Sequence, residues 1–440
     1  MFASWLRLVR IVTICCLFSG SFFTLHAAPS NAPLLTINDV RYIGAFRLPE
    51  DTFGVSSLNY SQGPMAYYPS HHSILIVGHT YEQAIAEFAI PRLVKSTNIE
   101  DLNMASAPLQ FFSSVIDRAS NGNPQALDSI GGMLVFDGPD GPQLLVNAYE
   151  YYDAPGDNTQ TTLIVRDADD LASCAVDGFY SFQGGAGHTS GWISPVPPEW
   201  IPEIGASYIT GQSSGIPIIS RCSVGPSAFA FDPAEIIGAD STTATISTIK
   251  LLDFSLDHPL HDDLYNSSGT NDLWTHLSRV TYGLIVPGTR TYITFGYSGG
   301  HVSGVCYKCT QDDGNLCGGY CAYEADDYYQ YCWLWDVNDL IKVRQGRINS
   351  YDVRPYEYGK FPTPFECSTH EIGGGAYDVE SGKLYLTIQR ADSEQGTYSN
   401  PPIVVVFRFE MRGAQSHDQW QLYARQPSDE NIAFTKKDAD

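Results

Sequence analysis

The chain has 440 residues and a formal net charge of −24, because 49 Asp and Glu residues outnumber 25 Lys and Arg residues. A charge of this sign repels phosphate backbones and anionic membrane surfaces, which argues against nucleic acid and lipid as partners. Aromatic residues make up 12% of the chain and include 27 Tyr, a composition that argues against disorder and is typical of a large β-rich protein.

The N-terminal segment 1–28 predicts an export signal. Two arginines precede an apolar run at 11–23, and small residues follow at Ala27 and Ala28. The run is too short for a spanning helix, and no later stretch of the sequence reaches the length that a membrane helix needs. We therefore expect a secreted or periplasmic protein.

Five later segments share one plan: a small-residue entry, a short apolar strand, a turn, a second strand, a polar break and an outgoing strand. In chain order they open with GPMAYYP, GGMLVFD, SGWISPV, YGLIVPG and GGGAYDV. A separate short strand precedes each unit: YIGAFRLP, PLQFFSS, GFYSFQ, IKLLDFSL and DVRPYEYGKF. Self-similarity of this kind indicates a repeat architecture.

Four short strands per unit, with almost no helical periodicity, are typical of propeller blades. The plan is similar to β-propeller proteins in general, of the secreted bacterial type, and points to no named family. We predict an all-β fold, a β-propeller of about five four-stranded blades, with six or seven as the alternatives. We expect either YIGAFRLP or the late strand QWQLYARQP at 419–427 to complete the last blade and close the ring. The domain plan is a signal peptide, 1–28, and a single propeller, 29–440, whose long loops include a Cys-rich loop at 301–332.

Eight cysteines follow the signal, and five of them lie within 306–332. An even count in an exported chain favours disulfides, and we expect at least two in this loop, each with a Cα separation below about 7 Å. The spacing C-x2-C, x7, C-x3-C would also suit a structural zinc site, with free thiols as a third alternative. The zinc ligands would come from His301, Cys306, Cys309, Cys317 and Cys321. Acidic turns such as DGPDG offer a weaker calcium site, so no cofactor is firmly indicated.

In a propeller, the breaks after the second strands and the entries to the first strands gather at one mouth of the central channel. Several side chains at those positions can move a proton or pair with a substrate carboxylate, and others can stack on a sugar. The catalytic candidates are His79, His188, His370, Tyr149 and Glu371. The substrate-binding candidates are Arg221, Arg390, Tyr81, Tyr151, Trp192 and Gln212.

These residue types favour a propeller that binds and cleaves an extracellular carbohydrate, in the manner of a polysaccharide lyase with a His or Tyr base. A glycoside hydrolase is the other enzyme class, although the sequence selects no pair of carboxylates for it. Two further classes stay open. One is a non-catalytic propeller that binds a glycan or a protein, with histidines hydrogen-bonded within their own loops, and the other is a multi-histidine metalloenzyme. We expect an extracellular polysaccharide or glycan as the partner, no nucleic acid, no membrane insertion and a monomer.

Overall fold

A computed structural model of the chain describes five stretches: 29–213, 223–237, 244–367, 370–396 and 399–411. The predicted export signal, Arg221, Cys222 and the predicted strand at 419–427 lie outside the described residues. Within the described part, no helix is both long enough and apolar enough to cross a membrane.

The described strands form five principal sheets, each of which is one blade of a propeller. Blade 1 consists of β2 (Met65–Tyr68), β3 (Ser73–Val77), β4 (Ile85–Ala89) and β5 (Gln110–Ser113). Blade 2 consists of β6 (Ser129–Gly138), β7 (Gly141–Tyr149), β8 (Gln160–Val165) and β9 (Val176–Phe182), with β13 (Thr245–Ile246) added at its edge. Blade 3 consists of β10 (Ile193–Pro195), β11 (Tyr208–Thr210), β12 (Ala228–Phe231) and β14 (Thr248–Leu252).

The last two blades follow the same antiparallel order. Blade 4 consists of β15 (Arg279–Ile285), β16 (Thr291–Gly299), β19 (Tyr328–Asp336) and β20 (Glu357–Lys360). Between β16 and β19 the chain forms a separate hairpin of β17 (Val305–Tyr307) and β18 (Tyr320–Ala322). Blade 5 consists of β21 (Ile372–Asp378), β22 (Lys383–Ile388), β23 (Ile403–Phe409) and β1 (Val40–Arg47). The predicted five-bladed, all-β propeller is confirmed.

Helical segments are short and lie in the connections. The α-helices are α1 (Ala186–Thr189), α2 (Ile201–Ile204) and α3 (Val337–Arg344). The 3-10 turns are Pro29–Asn31, Ile37–Asp39, Pro69–His71, Ile99–Asp101, Ile116–Arg118, Pro233–Glu235 and Ser350–Asp352.

Strand β1 closes the ring by pairing antiparallel with β23, with Ala45 opposite Val405 and Arg47 opposite Ile403. This confirms the first of the two expected closures, by YIGAFRLP. The other short strands behave in the same way, because each forms the fourth strand of the blade that comes before it in the chain: PLQFFSS supplies β5, GFYSFQ supplies β9, IKLLDFSL supplies β14 and DVRPYEYGKF supplies β20.

The middle strands of the blades are buried on both faces, so they read as continuous apolar runs. In β3, for example, all five residues of SILIV are buried. Glycines occur at the blade entries because the backbones of neighbouring blades approach closely around the channel axis. A Cβ at Gly131 would lie 2.0 Å from the carbonyl oxygen of Ser190, and one at Gly373 would lie 2.2 Å from that of Gln62. These glycines therefore admit the backbone of the neighbouring blade.

Candidate functional site

One end of the central channel, which we call the first mouth, is formed where the inner strands begin and the second strands end. Its floor is a cavity of about 30 Å³. The side chains that line it come from every blade and include Gln62, Tyr149, Trp192, Gln212, Arg279 and Gln389. The propeller thus brings together residues that are far apart in the sequence, as expected from the repeat.

Three blades carry a β-bulge at the start of the inner strand, next to this cavity. The pairing register with the second strand shifts at Ile130/Gly132 in blade 2, Val280/Tyr282 in blade 4 and Ile372/Gly374 in blade 5. A bulge bends the strand and changes the direction of the adjacent side chains. The first residues of these strands, Arg279 among them, precede such a bend.

Arg279 is the only cationic side chain among the described residues that line this cavity. Its Nη2 donates a hydrogen bond to the hydroxyl of Tyr149 at 3.2 Å, and the side chain of Tyr297 lies nearby. Its Nε is buried without a hydrogen-bond partner, and Arg279 forms no ion pair within the described part of the chain. A guanidinium stays protonated and is costly to bury without an anion, so this group is poised to bind one.

Tyr297 lies beside Arg279 and carries an uncharged hydroxyl group. Burial raises the pKa of Tyr297 to about 12; the charge of Arg279 opposes this rise and that of Glu371 adds to it. At neutral pH, Tyr297 is therefore a phenol and does not neutralise the charge of Arg279.

Arg390 and Glu371, predicted to bind and to react with the substrate, lie together at the first mouth. Nη2 of Arg390 is 2.6 Å from Oε2 of Glu371. This ion pair matches the charge of Arg390. Among the described residues that line the cavity, Arg279 is the cation with a buried N–H group that has no hydrogen-bond partner. Arg221 lies outside the described residues.

The three candidate histidines belong to different blades and each contacts an acid close to it in the fold. The Nδ1 atom lies 2.8 Å from Glu82 in His79, 2.7 Å from Asp253 in His188 and 2.9 Å from Glu366 in His370. At Asp253, burial alone would raise the pKa, but the hydrogen bonds and charges of His188 and Lys250 lower it below its ordinary value. None of these three imidazoles lines the cavity floor. The structure therefore places them around the mouth rather than on one reacting atom.

Tyrosine rings form an exposed rim beside this cavity, on the loops of blades 1 and 2. Tyr81 is 88% exposed and Tyr152 is 65% exposed, with Tyr60 and Tyr151 also at the surface. Tyr60 and Tyr81 flank the ring of His79, at centroid distances of 5.8 and 5.3 Å. These rings are open to stacking by a sugar.

Two other substrate-binding candidates, Trp192 and Gln212, form hydrogen bonds within the protein. Trp192 is 2% exposed and its Nε1 donates to the hydroxyl of Tyr292 at 3.3 Å, so its ring has no open face for a sugar. Gln212 lines the cavity, and its Nε2 donates to Oγ of Ser190 at 3.3 Å. Gln212 therefore helps to shape the floor.

The Cys-rich hairpin contains two disulfides. Cys306 bonds to Cys309 and Cys317 bonds to Cys321, with Cα separations of 6.0 and 6.4 Å. The prediction of at least two disulfides within 306–332 is confirmed. Cys306 pairs with Cys321 across β17 and β18, which brings the Sγ atoms of Cys306 and Cys309 each to 3.6 Å from that of Cys321. These three sulfurs form a group that could hold a metal ion if the bonds were reduced.

His301, expected as a further zinc ligand, takes no part in that group. Its Nδ1 lies 3.0 Å from the carbonyl oxygen of Asn271 and its Nε2 lies 2.7 Å from Oγ of Ser298. Burial lowers the pKa of His301. Both ring nitrogens of His301 therefore have partners within the fold, and its role as a zinc ligand stays a prediction.

Arg279 and Tyr297 are the site residues that the sequence interpretation missed. Both lie inside strands, and the predicted site drew only on the breaks and entries. The available signal was a charged residue, in the run SRVTYG, at the start of a predicted inner strand. A cation at such a position faces the channel.

No protein-family model matches the chain, and no curated protein matches it. Solved structures that match weakly include hydrazine synthase of Kuenenia stuttgartiensis, at 10% identity and a TM-score of 0.28, covering 78% of this chain and 74% of that one. An exo-1,5-α-L-arabinanase from a bovine ruminal metagenomic library shares 8% identity at a TM-score of 0.34, covering 81% and 94%. The catalytic domain of a GH62 α-L-arabinofuranosidase of Coprinopsis cinerea shares 9% identity at a TM-score of 0.36, covering 85% and 98%. At such low similarity these matches carry no conclusion about activity.

Proposed function

We propose that this protein is an exported propeller that binds an acidic extracellular carbohydrate at the first mouth, with Arg279 holding a carboxylate group of the ligand. The observation that carries the proposal is the guanidinium of Arg279, whose Nε is buried without a hydrogen-bond partner. A carboxylate accepts paired hydrogen bonds from a guanidinium and cancels its charge. Export is supported by the predicted signal at 1–28 and by the two disulfides.

The dimensions of the mouth favour a ligand that inserts one group only. A cavity of about 30 Å³ accepts a carboxylate or a few water molecules and is too small for a sugar ring. The ring carrying that carboxylate would remain at the rim, where Tyr81, Tyr151 and Tyr152 are exposed. Stacking on tyrosine combined with one charge-paired carboxylate is the chemistry that recognises a uronate.

A second candidate function is cleavage of the same ligand by elimination. It is favoured by the hydroxyl of Tyr149, 3.2 Å from the Nη2 atom that would hold the carboxylate. In its deprotonated form, Tyr149 would take the proton from the carbon next to the carboxylate. The electron pair of that C–H bond forms a carbon–carbon double bond as the glycosidic C–O bond breaks, and the leaving oxygen takes a proton from water. None of the imidazoles of His79, His188 and His370 lines the cavity floor, which favours this base over a histidine and equally supports binding without turnover.

Titration calorimetry with oligogalacturonate and with a neutral galactose oligomer of equal length tests the binding proposal. We expect the acidic oligomer to bind and the neutral one to bind weakly or not at all. Equal binding of both oligomers, or of neither, would refute it. Ultraviolet absorbance of the unsaturated product, recorded in the same samples, separates elimination from binding alone.

A further inference from the structure

The opposite end of the channel, which we call the second mouth, contains a much larger cavity. Its volume is about 430 Å³, within the range of small-molecule sites in proteins. It is lined by the later residues of the inner strands, including Met65–Tyr68 in blade 1 and Gly375–Asp378 in blade 5. The first mouth is lined by the beginnings of the same strands, so the two cavities are separate.

Every blade contributes at least one aromatic residue to the lining of this second cavity. Tyr67, Tyr208 and Tyr377 are partly exposed, whereas Tyr68, Phe136 and Tyr282 are buried in its wall. Burial is the main cause that raises the pKa of Tyr67, Tyr208 and Tyr377. These phenols are therefore uncharged at neutral pH and present polarisable ring surfaces to the cavity.

The charged side chains at this mouth are all acidic. Asp137, Asp378 and Glu380 line the cavity, and the described residues that line it include no Lys, Arg or His. Asp378 is buried and accepts the backbone N–H groups of Glu380 and Ser381 at 3.0 and 3.2 Å. Asp137 and Glu380 are exposed. The charge of this mouth is thus opposite to that of the first.

From this arrangement we infer that the second mouth binds an organic ammonium cation, such as an amino sugar whose amino group is free. Rings on several sides of a cation attract it through their negative faces, and the carboxylates add Coulomb attraction within a partly enclosed cavity. A cavity of this volume admits one or two sugar rings. The site does not depend on Arg279 or on the carbohydrate proposed for the first mouth.

The test is titration of the full chain with a glucosamine oligomer and with its N-acetylated counterpart, which has the same rings without the charge. We expect binding of the glucosamine oligomer only. The variant Y377A removes one ring and should weaken this binding about threefold to thirtyfold, while Y377F keeps the ring and should change it less than about twofold. Y323A, which truncates an exposed tyrosine of the Cys-rich hairpin, is the matched control and should have no effect.

Three results would overturn the inference. The first is no binding of the glucosamine oligomer, and the second is equal binding of the acetylated form, which would mean that charge is not recognised. The third is an equal loss in Y377F and Y377A, which would assign the effect to the hydroxyl group rather than to the ring. Because oligogalacturonate reports on the first mouth separately, failure here leaves the proposed function standing.

Discussion

The guanidinium of Arg279 lies 3.2 Å from the hydroxyl of Tyr149, although 130 residues separate them in the chain. Arg279 begins β15 in blade 4, and Tyr149 ends β7 in blade 2. Strand starts and second-strand ends meet at the same mouth, so the propeller joins them around the axis. The contact depends on the assembly of the blades into a ring, which β1 closes.

Replacing Phe46 with Ala should destabilise the protein by about 3–5 kcal/mol, the usual cost of removing a buried phenyl ring. Phe46 is 0% exposed on β1 and packs in a core cluster with residues of blades 1 and 5. Arg41 on the same strand provides the control, because its ion pair with Glu410 is exposed on both sides and R41A should cost less than about 1 kcal/mol. Urea denaturation measures both. Equal stabilities of F46A and R41A would argue against closure by β1.

Acid should weaken the fold through His276. Its ring stacks on Tyr320 at a centroid distance of 4.2 Å, and burial lowers its pKa from 6.5 to about 4. Between those two values the unfolded chain binds a proton that the folded chain does not. The free energy of unfolding therefore decreases as the pH falls through this window, and His276 adds no pH dependence above it.

The variant H276Q should show a smaller loss of stability on acidification than the parent. Urea midpoints at about pH 5 and about pH 8 provide the comparison. His301, whose pKa burial also lowers, should contribute in the same direction and keep part of the effect in H276Q. An identical difference between the two midpoints in parent and variant would show that His276 titrates normally in the folded protein.

Removal of the Cys317–Cys321 disulfide by the double change to Ser should loosen the hairpin and leave the blades intact. The hairpin of β17 and β18 is a two-stranded sheet outside the blades. The chain-entropy estimate for so short a loop is about 2 kcal/mol, and we expect it to appear as faster hydrogen exchange over 305–322. C332S should instead lower global stability, because Cys332 is buried within β19 of blade 4. Global unfolding of the double variant at the same point as C332S would contradict this separation.

The sequence was sufficient for the blade plan because the relevant signals are local. Runs such as SILIV and KLYLTI are buried strands, and turns recur between them. Which strand each short strand pairs with was harder to predict from the sequence, because pairing joins residues that are far apart in the chain. PLQFFSS precedes the second unit in sequence but hydrogen-bonds to β4 of the first blade.

The functional roles predicted for His79 and His370 stay predictions. Their ion pairs with Glu82 and Glu366 involve residues three and four positions away, so these contacts are local in sequence. Arg279 could not be selected because its importance comes from what it lacks, a carboxylate partner, and that is visible only when all five blades are assembled. The aromatic residues of the second mouth could not be predicted as a group either, because they come together only when all five blades are assembled.

The most direct test of the central claim is the affinity of oligogalacturonate for R279Q compared with the parent and with R41Q, a control that removes an exposed arginine of the outer strand β1. Loss of hydrogen bonds from a charged group predicts that R279Q weakens binding about 10-fold to 100-fold, while R41Q stays within about twofold of the parent. Circular dichroism and a urea midpoint confirm that each variant is folded. If folded R279Q binds oligogalacturonate as tightly as the parent, Arg279 does not hold the carboxylate and the account of the first mouth is wrong.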